Sequence, residues 1–302
     1  MAMFGAVSQG LIWSIMAMGV YITFRILNFA DLSCEGSFAL GGSLTTVLIV
    51  GFNIHPVISL IFGALGGMLA GGVTGFLHTK LKIPAILSGI LTMIALYSVN
   101  IRIMGQANTS LHNQPTIISL VKSLFPEGDM GIKSSTLQII ITIFVGLFFA
   151  VAVILVLYWF FGTEAGSCIR ATGDNEYMVR AQGVSTDKMK VLALVISNGL
   201  IALCGGLVAQ SQGYADVNMG IGAIVIGLAS IVIGEVVIRR IGFAQKLISI
   251  VIGSMIYRII IAVVLQMGLH TDDLKLLTAI VVAIALSVPV LKQNKMKVQK
   301  GD

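Results

Sequence analysis

Long apolar runs, separated by short polar connections, recur along the whole chain. Most of them are close to the roughly 17–25 residues that a tilted helix needs to cross a bilayer. Nine such runs lie near residues 4–24, 37–50, 57–77, 84–104, 138–161, 191–212, 218–238, 247–267 and 275–291. The pattern predicts an all-α integral membrane protein with about nine transmembrane helices, and between eight and ten in all.

Two of these runs depart from the pattern of a simple span. The run at 37–50 is short unless it includes the polar stretch before it, and the run at 218–238 is rich in glycine. Irregular backbone at membrane depth is tolerated only where it is buried in protein or lines a cavity. We therefore expect one or two broken or re-entrant segments, with these two runs as the candidates.

The charged residues are few, and their placement predicts an orientation. Only 11% of residues are charged, against about 25% in a typical soluble domain, and the net charge is +6. The basic residues lie in short connections around 80–82, 170–190 and 239–246 and in the tail 292–302, so they indicate cytoplasmic loops rather than nucleic-acid binding. Alternation from that tail predicts an extracellular N-terminus, an extracellular loop at 105–137 and a cytoplasmic C-terminus.

The longest cytoplasmic connection, 162–190, is predicted to contain an ordered element. Asp174 or Asn175 can cap a short helix at its start, and Gly183 can end it in the left-handed conformation. An ordinary capped surface helix is one interpretation, although a mere linker would not need both caps.

A polar stretch between the first two apolar runs is the main candidate for chemistry inside the membrane. Ionisable groups at the centre of a span cost about 2.5–3.5 kcal/mol on insertion scales, so they are rare without a function. Two interpretations are open: a cytoplasmic loop with its carboxylates in water near Arg25, or a discontinuous helix whose polar break lines a translocation path. The polar residues of this stretch are Asn28, Asp31, Ser33, Glu35 and Ser37.

Further polar candidates lie at the two ends of the run 218–238. Asp216 and Asn218 at its outer end can meet a substrate or a docking protein, or belong to a solvated loop. Glu235 at its inner end can act in gating, or pair with the neighbouring residues 239 and 240, which are both arginine. The glycines Gly67, Gly71 and Gly75 form a small-xxx-small ladder, which predicts close helix packing.

Motifs for catalysis and metal binding are missing from the sequence. There is no Gly-x-x-x-x-Gly-Lys-Ser/Thr phosphate loop, no His-Glu-x-x-His and no Gly-x-Ser-x-Gly. The three cysteines and four histidines show no metal-ligand spacing. We therefore expect no enzyme, no metal site and no cofactor in this chain.

Motifs spread over the whole chain resemble the permeases of bacterial ABC importers for branched-chain amino acids and ribose-type sugars. Within that group, the chain most resembles the permeases found beside tryptophan/tyrosine-type substrate-binding lipoproteins. The inner connection carries Gly-Ser-Cys-Ile-Arg-Ala-Thr-Gly-Asp-Asn over 166–175, and the polar stretch carries Asn-Phe-Ala-Asp-Leu-Ser-Cys-Glu-Gly-Ser over 28–37. The other matching segments are 103–108, 180–185, 197–200, 214–222 and 227–235.

The resemblance implies a permease of the type II, cobalamin-importer-like architecture in the bacterial plasma membrane. Its expected partners are two cytoplasmic ABC ATPase subunits, which hold the ATP and Mg²⁺, an extracytoplasmic binding lipoprotein, and a second permease copy in a homodimer surrounded by lipid. The segment 162–190 is then the coupling segment of a single permease domain, 1–302. Its implied coupling residues are Glu164, Gly166, Arg170, Gly173, Asp174, Asn175 and Arg180.

Two other functions are open from the sequence. An ion- or proton-coupled secondary transporter would use Asp31 and Glu35 as its ion sites. The second is a membrane enzyme or scaffold, but the sequence contains no catalytic constellation that supports it. The transported molecule is expected to be an amino acid, including an aromatic one, or a related small polar solute, because the subgroup resemblance implies it.

Overall fold

The structure is a computed structural model that describes residues 2–123, 134–238 and 242–266, together with four helical positions between 276 and 283. The predicted ninth span at 275–291 lies outside the continuously described residues, and so does the basic tail 292–302. Part of the predicted extracellular loop and the two arginines after the run 218–238 are likewise not described.

The described chain is almost entirely helical. Its α-helices are α1 (Ala2–Tyr21), α2 (Ser33–Phe52), α3 (Pro56–Thr79), α4 (Ala85–Met104), α5 (Ile117–Ser123), α6 (Ser134–Phe161), α7 (Glu164–Asp174), α8 (Glu176–Ala181), α9 (Thr186–Gln212), α10 (Ala223–Val237) and α11 (Phe243–Gln266). A π-helical turn, Ile22–Ile26, continues α1, and two short strands, β1 (Asn108–Ser110) and β2 (Tyr214–Asp216), pair antiparallel.

Within the described residues, seven helices are long and apolar enough to cross a membrane, and α10 is a shorter apolar helix. These eight helices coincide with the first eight predicted apolar runs. The coarse prediction of a multi-span helical membrane protein is therefore confirmed.

One of the two predicted interruptions is misplaced. The run at 37–50 is not a broken helix, because α2 begins four residues earlier and continues unbroken to Phe52. The interruption lies before it, in residues 27–32, which are not helical. The other candidate, the run at 218–238, does contain an interruption. Its helix, α10, begins only at Ala223, after turns that end at Gly222 with a φ of 82°.

Helix α9 lies at the centre of the bundle and packs against α1, α2 and α3. Its contact with α3 depends on the glycine ladder, because a Cβ atom on Gly71 would lie 2.2 Å from the carbonyl oxygen of Leu194. Gly67 and Gly75 face α9 in the same way, at Asn198 and Val191. The helices therefore touch backbone to backbone, as small-residue ladders allow in membranes.

The two ends of the bundle differ in character. At one end, which we call the strand end, β1 and β2 join the connections after α4 and α9. At the opposite end, which we call the basic end, Arg25 contacts Glu235, and Lys82 lies 3.6 Å from Asp187. This grouping of loops is the one that alternating spans require.

The glycine ladder generates a stability prediction. Replacing Gly71 by Ala forces α3 away from α9, and we expect a loss of about 1–3 kcal/mol, the usual cost of overpacking. The measurement is the thermal unfolding of the purified protein in detergent.

The adjacent Gly72 provides the matched control. A Cβ atom there meets only Val195, at an ordinary 3.7 Å, so Gly72→Ala should leave stability unchanged or raise it by up to about 1 kcal/mol through helix propensity. Equal unfolding temperatures for the two variants would contradict the proposed packing role.

Candidate functional site

Two helices begin near the middle of the bundle instead of at its ends. Helix α2 begins at Ser33, whose hydroxyl lies 3.3 Å from Asn198 Oδ1, and Asn198 is near the middle of α9. Helix α10 begins at the same level, since Gly222 N donates a hydrogen bond to Glu35 Oε1 at 2.9 Å. Polar backbone groups at two helix N-termini therefore meet at the centre of the molecule.

Asp31 caps the first of these two helices. Its Oδ1 accepts hydrogen bonds from Ser33 N at 2.9 Å and Ser33 Oγ at 2.5 Å, and its Oδ2 accepts from Asn198 Nδ2 at 2.8 Å. The side chain is fully buried. The cytoplasmic-loop interpretation, in which this carboxylate lies in water near Arg25, is therefore wrong.

Glu35 lies in the first turn of α2 and faces the start of α10. The backbone approaches it closely, because a Cβ atom on Gly220 would lie 2.0 Å from the Glu35 carbonyl oxygen. A negative charge is favourable at the positive end of a helix dipole. Glu35 therefore links the two helix starts, a contact that sequence spacing alone does not reveal.

A cavity of about 360 Å³ opens beside Glu35, between α2, α4 and the turn before α10. Its lining residues are Glu35, Gly36, Met93, Ile94, Tyr97, Asn100, Val217, Asn218 and Ile221. Of the residues predicted to line a path, the cavity includes Glu35 and Asn218. Tyr97 and Asn100 were not predicted, although an Asn within an apolar run is a recognisable signal.

Asn100 is the most buried polar side chain of this lining, with 1% of its surface exposed. Its Nδ2 donates to the Gly36 carbonyl oxygen at 3.3 Å, which fixes the orientation of the amide. Its Oδ1 has no hydrogen-bond partner. An unpaired buried acceptor is costly and calls for an explanation.

The other predicted path residues lie elsewhere. Asn28 is exposed, in the left-handed conformation, while Ser37 is fully buried. Asp216 lies in β2 and accepts a hydrogen bond from Asn218 N at 2.6 Å. Glu235 lies at the basic end, where it pairs with Arg25; its expected arginine partners are outside the described residues.

The inner connection contains two short helices where the sequence predicted one. Asn175 Oδ1 accepts a hydrogen bond from Met178 N at 3.1 Å and begins α8, and Gly183 follows that helix with a φ of 82°. Helix α7, which was not predicted, begins at the cap Thr163, whose Oγ1 accepts from Gly166 N at 3.4 Å.

Helix α7 is packed tightly onto the membrane-spanning part. A Cβ atom on Gly173 would lie 1.8 Å from the Ile26 carbonyl oxygen, and one on Gly166 would lie 2.4 Å from the Phe160 carbonyl oxygen. The Arg170 guanidinium stacks on the rings of Phe161 and Phe243, at 5.5 and 4.9 Å. These residues connect α7 to α6, α11 and the π-helical turn.

The exposed tip of the segment is on α8. Tyr177 is 85% exposed and Met178 is 48% exposed. Asp174, Asn175 and Arg180 are exposed beside or on α8, and Glu164 is exposed at the start of α7. Of the residues implied by the resemblance, these four are therefore accessible, whereas Gly166, Arg170 and Gly173 face the rest of the protein.

An ion-pair network holds α8 to the start of α9. The Glu176 carboxylate contacts Arg180 and lies 2.8 Å from Lys190 Nζ. Partial burial acts to raise the pKa of Glu176, but the hydrogen bonds from Lys190 and Thr186 and the charges of Lys190 and Arg180 outweigh it and lower that pKa. The network is therefore intact above the ordinary pKa of a glutamate and is lost as the pH falls through the lowered value.

The described residues contain no cluster of three or more His, Cys, Asp or Glu side chains that could hold a metal ion. A partly buried cation, Arg258 in α11, lies over the Trp13 ring at 4.2 Å. This contact is a cation–π interaction.

Comparison with known proteins agrees with this architecture. Residues 2–287 match the family model described as "Branched-chain amino acid transport system / permease component". The chain is 41% identical to a tyrosine transport system permease protein of Clostridioides difficile, over 91% of this chain and 87% of that protein. It is 25% identical to a probable branched-chain amino acid transport permease protein of Methanocaldococcus jannaschii. That alignment covers 67% of this chain and 63% of the other protein.

A solved structure supports the fold alone. PsaBC from Streptococcus pneumoniae, in complex with Fab, aligns with a TM-score of 0.51 and 16% identity, over 98% of this chain and 94% of that chain. The family model matches residues 2–287, which is nearly the whole chain, and this match decides the assignment. The chain belongs to the family of permease components of branched-chain amino acid transport systems.

Proposed function

We propose that this permease forms the translocation path of an ATP-driven ABC importer for an amino acid, including an aromatic one. The observation that carries the proposal is the segment α7–α8, which is packed without clearance onto the spanning helices and presents an exposed tip. The name of the Clostridioides difficile relative supports the class of substrate.

We expect a displacement of α7 to be passed on to the spanning helices. Because Gly173 sits against the Ile26 carbonyl oxygen with no room for a side chain, a movement of α7 must move the π-helical turn. Residues 27–32 follow directly and end at the Asp31 cap of α2. An ATPase that pulls on α8 would therefore shift the start of α2.

The substrate path is proposed to run past the two helix starts at mid-depth. Interrupted helices that meet near the bilayer centre are a common way to present polar groups to a substrate. Glu35, Asn100 and Asn218 supply those groups in the cavity, whereas Asp31 supports the site from behind by capping α2.

The gate at the basic end is proposed to be the contact between Arg25 and Glu235. Arg25 belongs to the π-helical turn that α7 touches, and Glu235 lies in the last turn of α10. The pair therefore joins the π-helical turn, which is proposed to move with α7, to α10, which begins at the cavity. Separating the two residues would open the path at that end.

The remaining parts of the assembly are proposed from the resemblance to ABC importer permeases. The basic end is proposed to face the cytoplasm, because positively charged loops remain on that side. A second copy, two ATPase subunits that bind ATP and Mg²⁺, and a binding lipoprotein complete the importer. Nine spans in the cobalamin-importer arrangement, with the N-terminus outside, complete the proposed topology.

An ion-coupled carrier that uses Asp31 and Glu35 is the alternative, and the deep burial of Asp31 is the observation in its favour. Both proposals are tested in vesicles that contain the permease and its binding lipoprotein, with and without the ATPase. ATP-dependent uptake of labelled L-tyrosine is expected. Uptake that needs no ATPase but collapses with the proton gradient would overturn the importer assignment.

The exposed tip of α8 generates a prediction about coupling. Tyr177→Ala removes the largest exposed side chain of the segment, and anchors of this kind carry more than about 2 kcal/mol at interfaces. We expect at least a tenfold loss of ATPase binding and of uptake, measured with the purified components.

Ser167→Ala is the control, because it removes an exposed side chain of the same segment on α7, outside α8. It should leave ATPase binding unchanged. If Tyr177→Ala binds the ATPase as the unmodified protein does, α8 is not the docking tip.

The gate generates a charge-swap prediction. Arg25→Glu and Glu235→Arg each place like charges together, so each single variant should increase the ATP-independent leak of labelled L-tyrosine from loaded vesicles several-fold. The double swap should return the leak to the original level, since it restores the attraction.

Lys82 and Asp187 offer a matched pair at the same end, with 72% and 40% of their side chains exposed. Reversing Lys82 to Glu should not change the leak. If the double swap leaks as much as the single variants do, the contact between Arg25 and Glu235 is not the gate.

A further inference from the structure

The cavity beside Glu35 combines an apolar body with a small polar patch. Met93, Ile94 and Ile221 contribute aliphatic walls, and Tyr97 contributes an aromatic ring. A volume of about 360 Å³ falls in the range of small-molecule sites, which is about 300–1,000 Å³. The dimensions and lining suit a small ligand with an apolar portion.

Two polar side chains of the cavity lining, Glu35 and Asn100, each carry hydrogen-bond acceptors. The Glu35 carboxylate accepts from Gly222 N, and no Lys or Arg of the described chain lies within ion-pair distance of it. Asn100 Oδ1 is buried without a partner, because the amide nitrogen is committed to Gly36. A ligand complementary to both groups brings hydrogen-bond donors and, opposite an ionised Glu35, a positive charge.

A purely structural role explains only part of this arrangement. Capping α10 accounts for the contact of Glu35 with Gly222. It does not account for Asn100, a residue of the same lining whose buried amide oxygen has no hydrogen-bond partner. A buried acceptor without a partner costs about 1–3 kcal/mol, and a ligand that donates to it would recover that cost.

We infer that this cavity binds the protonated amine of the transported substrate, with Glu35 and Asn100 as acceptors and the apolar walls around the substrate's side chain. The inference rests on the proposed importer function and adds the ligand group and its recognition. The site thereby selects organic ammonium compounds over acids of the same shape that lack the amine.

The test uses three probes that share one ring: L-tyrosine, tyramine, which lacks the carboxylate, and desaminotyrosine, which lacks the amine. Binding of the radiolabelled probes to the full-length protein in nanodiscs is measured by equilibrium dialysis. L-tyrosine and tyramine should bind at least tenfold more tightly than desaminotyrosine. Equal binding of all three, or binding of none, would overturn the inference.

Two variants assign the preference to its residues. Glu35→Gln should abolish the preference for the amine, and Glu35→Asp, which keeps the charge, should retain it. Asn100→Leu should weaken binding of L-tyrosine and tyramine several-fold without touching the contact between Glu35 and α10. Amine binding that is unchanged in both Glu35→Gln and Asn100→Leu would exclude these residues as the amine site.

The control is Asn108→Leu, which makes the same chemical change on the exposed strand β1, outside the cavity. It should bind all three probes as the unmodified protein does. The result is separable from the proposed function: if amine-selective binding fails while ATP-dependent uptake persists, the subsite is wrong and the importer assignment stands. If uptake itself is absent, the importer assignment falls.

Discussion

The hydrogen bonds of the buried Asp31 carboxylate are the constraint on which the centre of this protein depends. They hold the start of α2 against Asn198, in the middle of α9. Because a helix start carries unpaired N–H groups, it needs such a cap when it lies far from water. Once α2 begins at that level, its first turn places Glu35 opposite the start of α10, and the cavity forms between them.

Close packing makes this arrangement rigid. Glycines let α3 and α2 touch the backbone of α9, and Gly173 lets α7 touch the π-helical turn. A contact of backbone on backbone transmits displacement instead of absorbing it in flexible side chains. The same feature that stabilises the bundle therefore connects α7 to the π-helical turn, and Arg25 of that turn contacts Glu235 of α10. The proposed coupling depends on these contacts.

Much of the fold was predictable, because the bilayer imposes a length and a polarity on every span. Eight helices coincide with predicted apolar runs, and the short helix after Asn175 follows from its cap residues. The exact start of α2 was not predictable. Residues 33–37 include three polar side chains, and the sequence left open whether they belong to a loop or to a discontinuous helix. Burial against α9 and the Asp31 cap include them in α2.

The sequence by itself determined that this is a multi-span membrane protein, which connections are basic, and which motifs ally it with amino acid permeases. Only the tertiary structure decided which polar groups meet. Asp31 and Asn198, Glu35 and Gly222, and Arg25 and Glu235 are each more than 160 residues apart. Periodicity along one helix identifies its polar face but not the helix opposite that face, because the partner is set by how all the spans pack together.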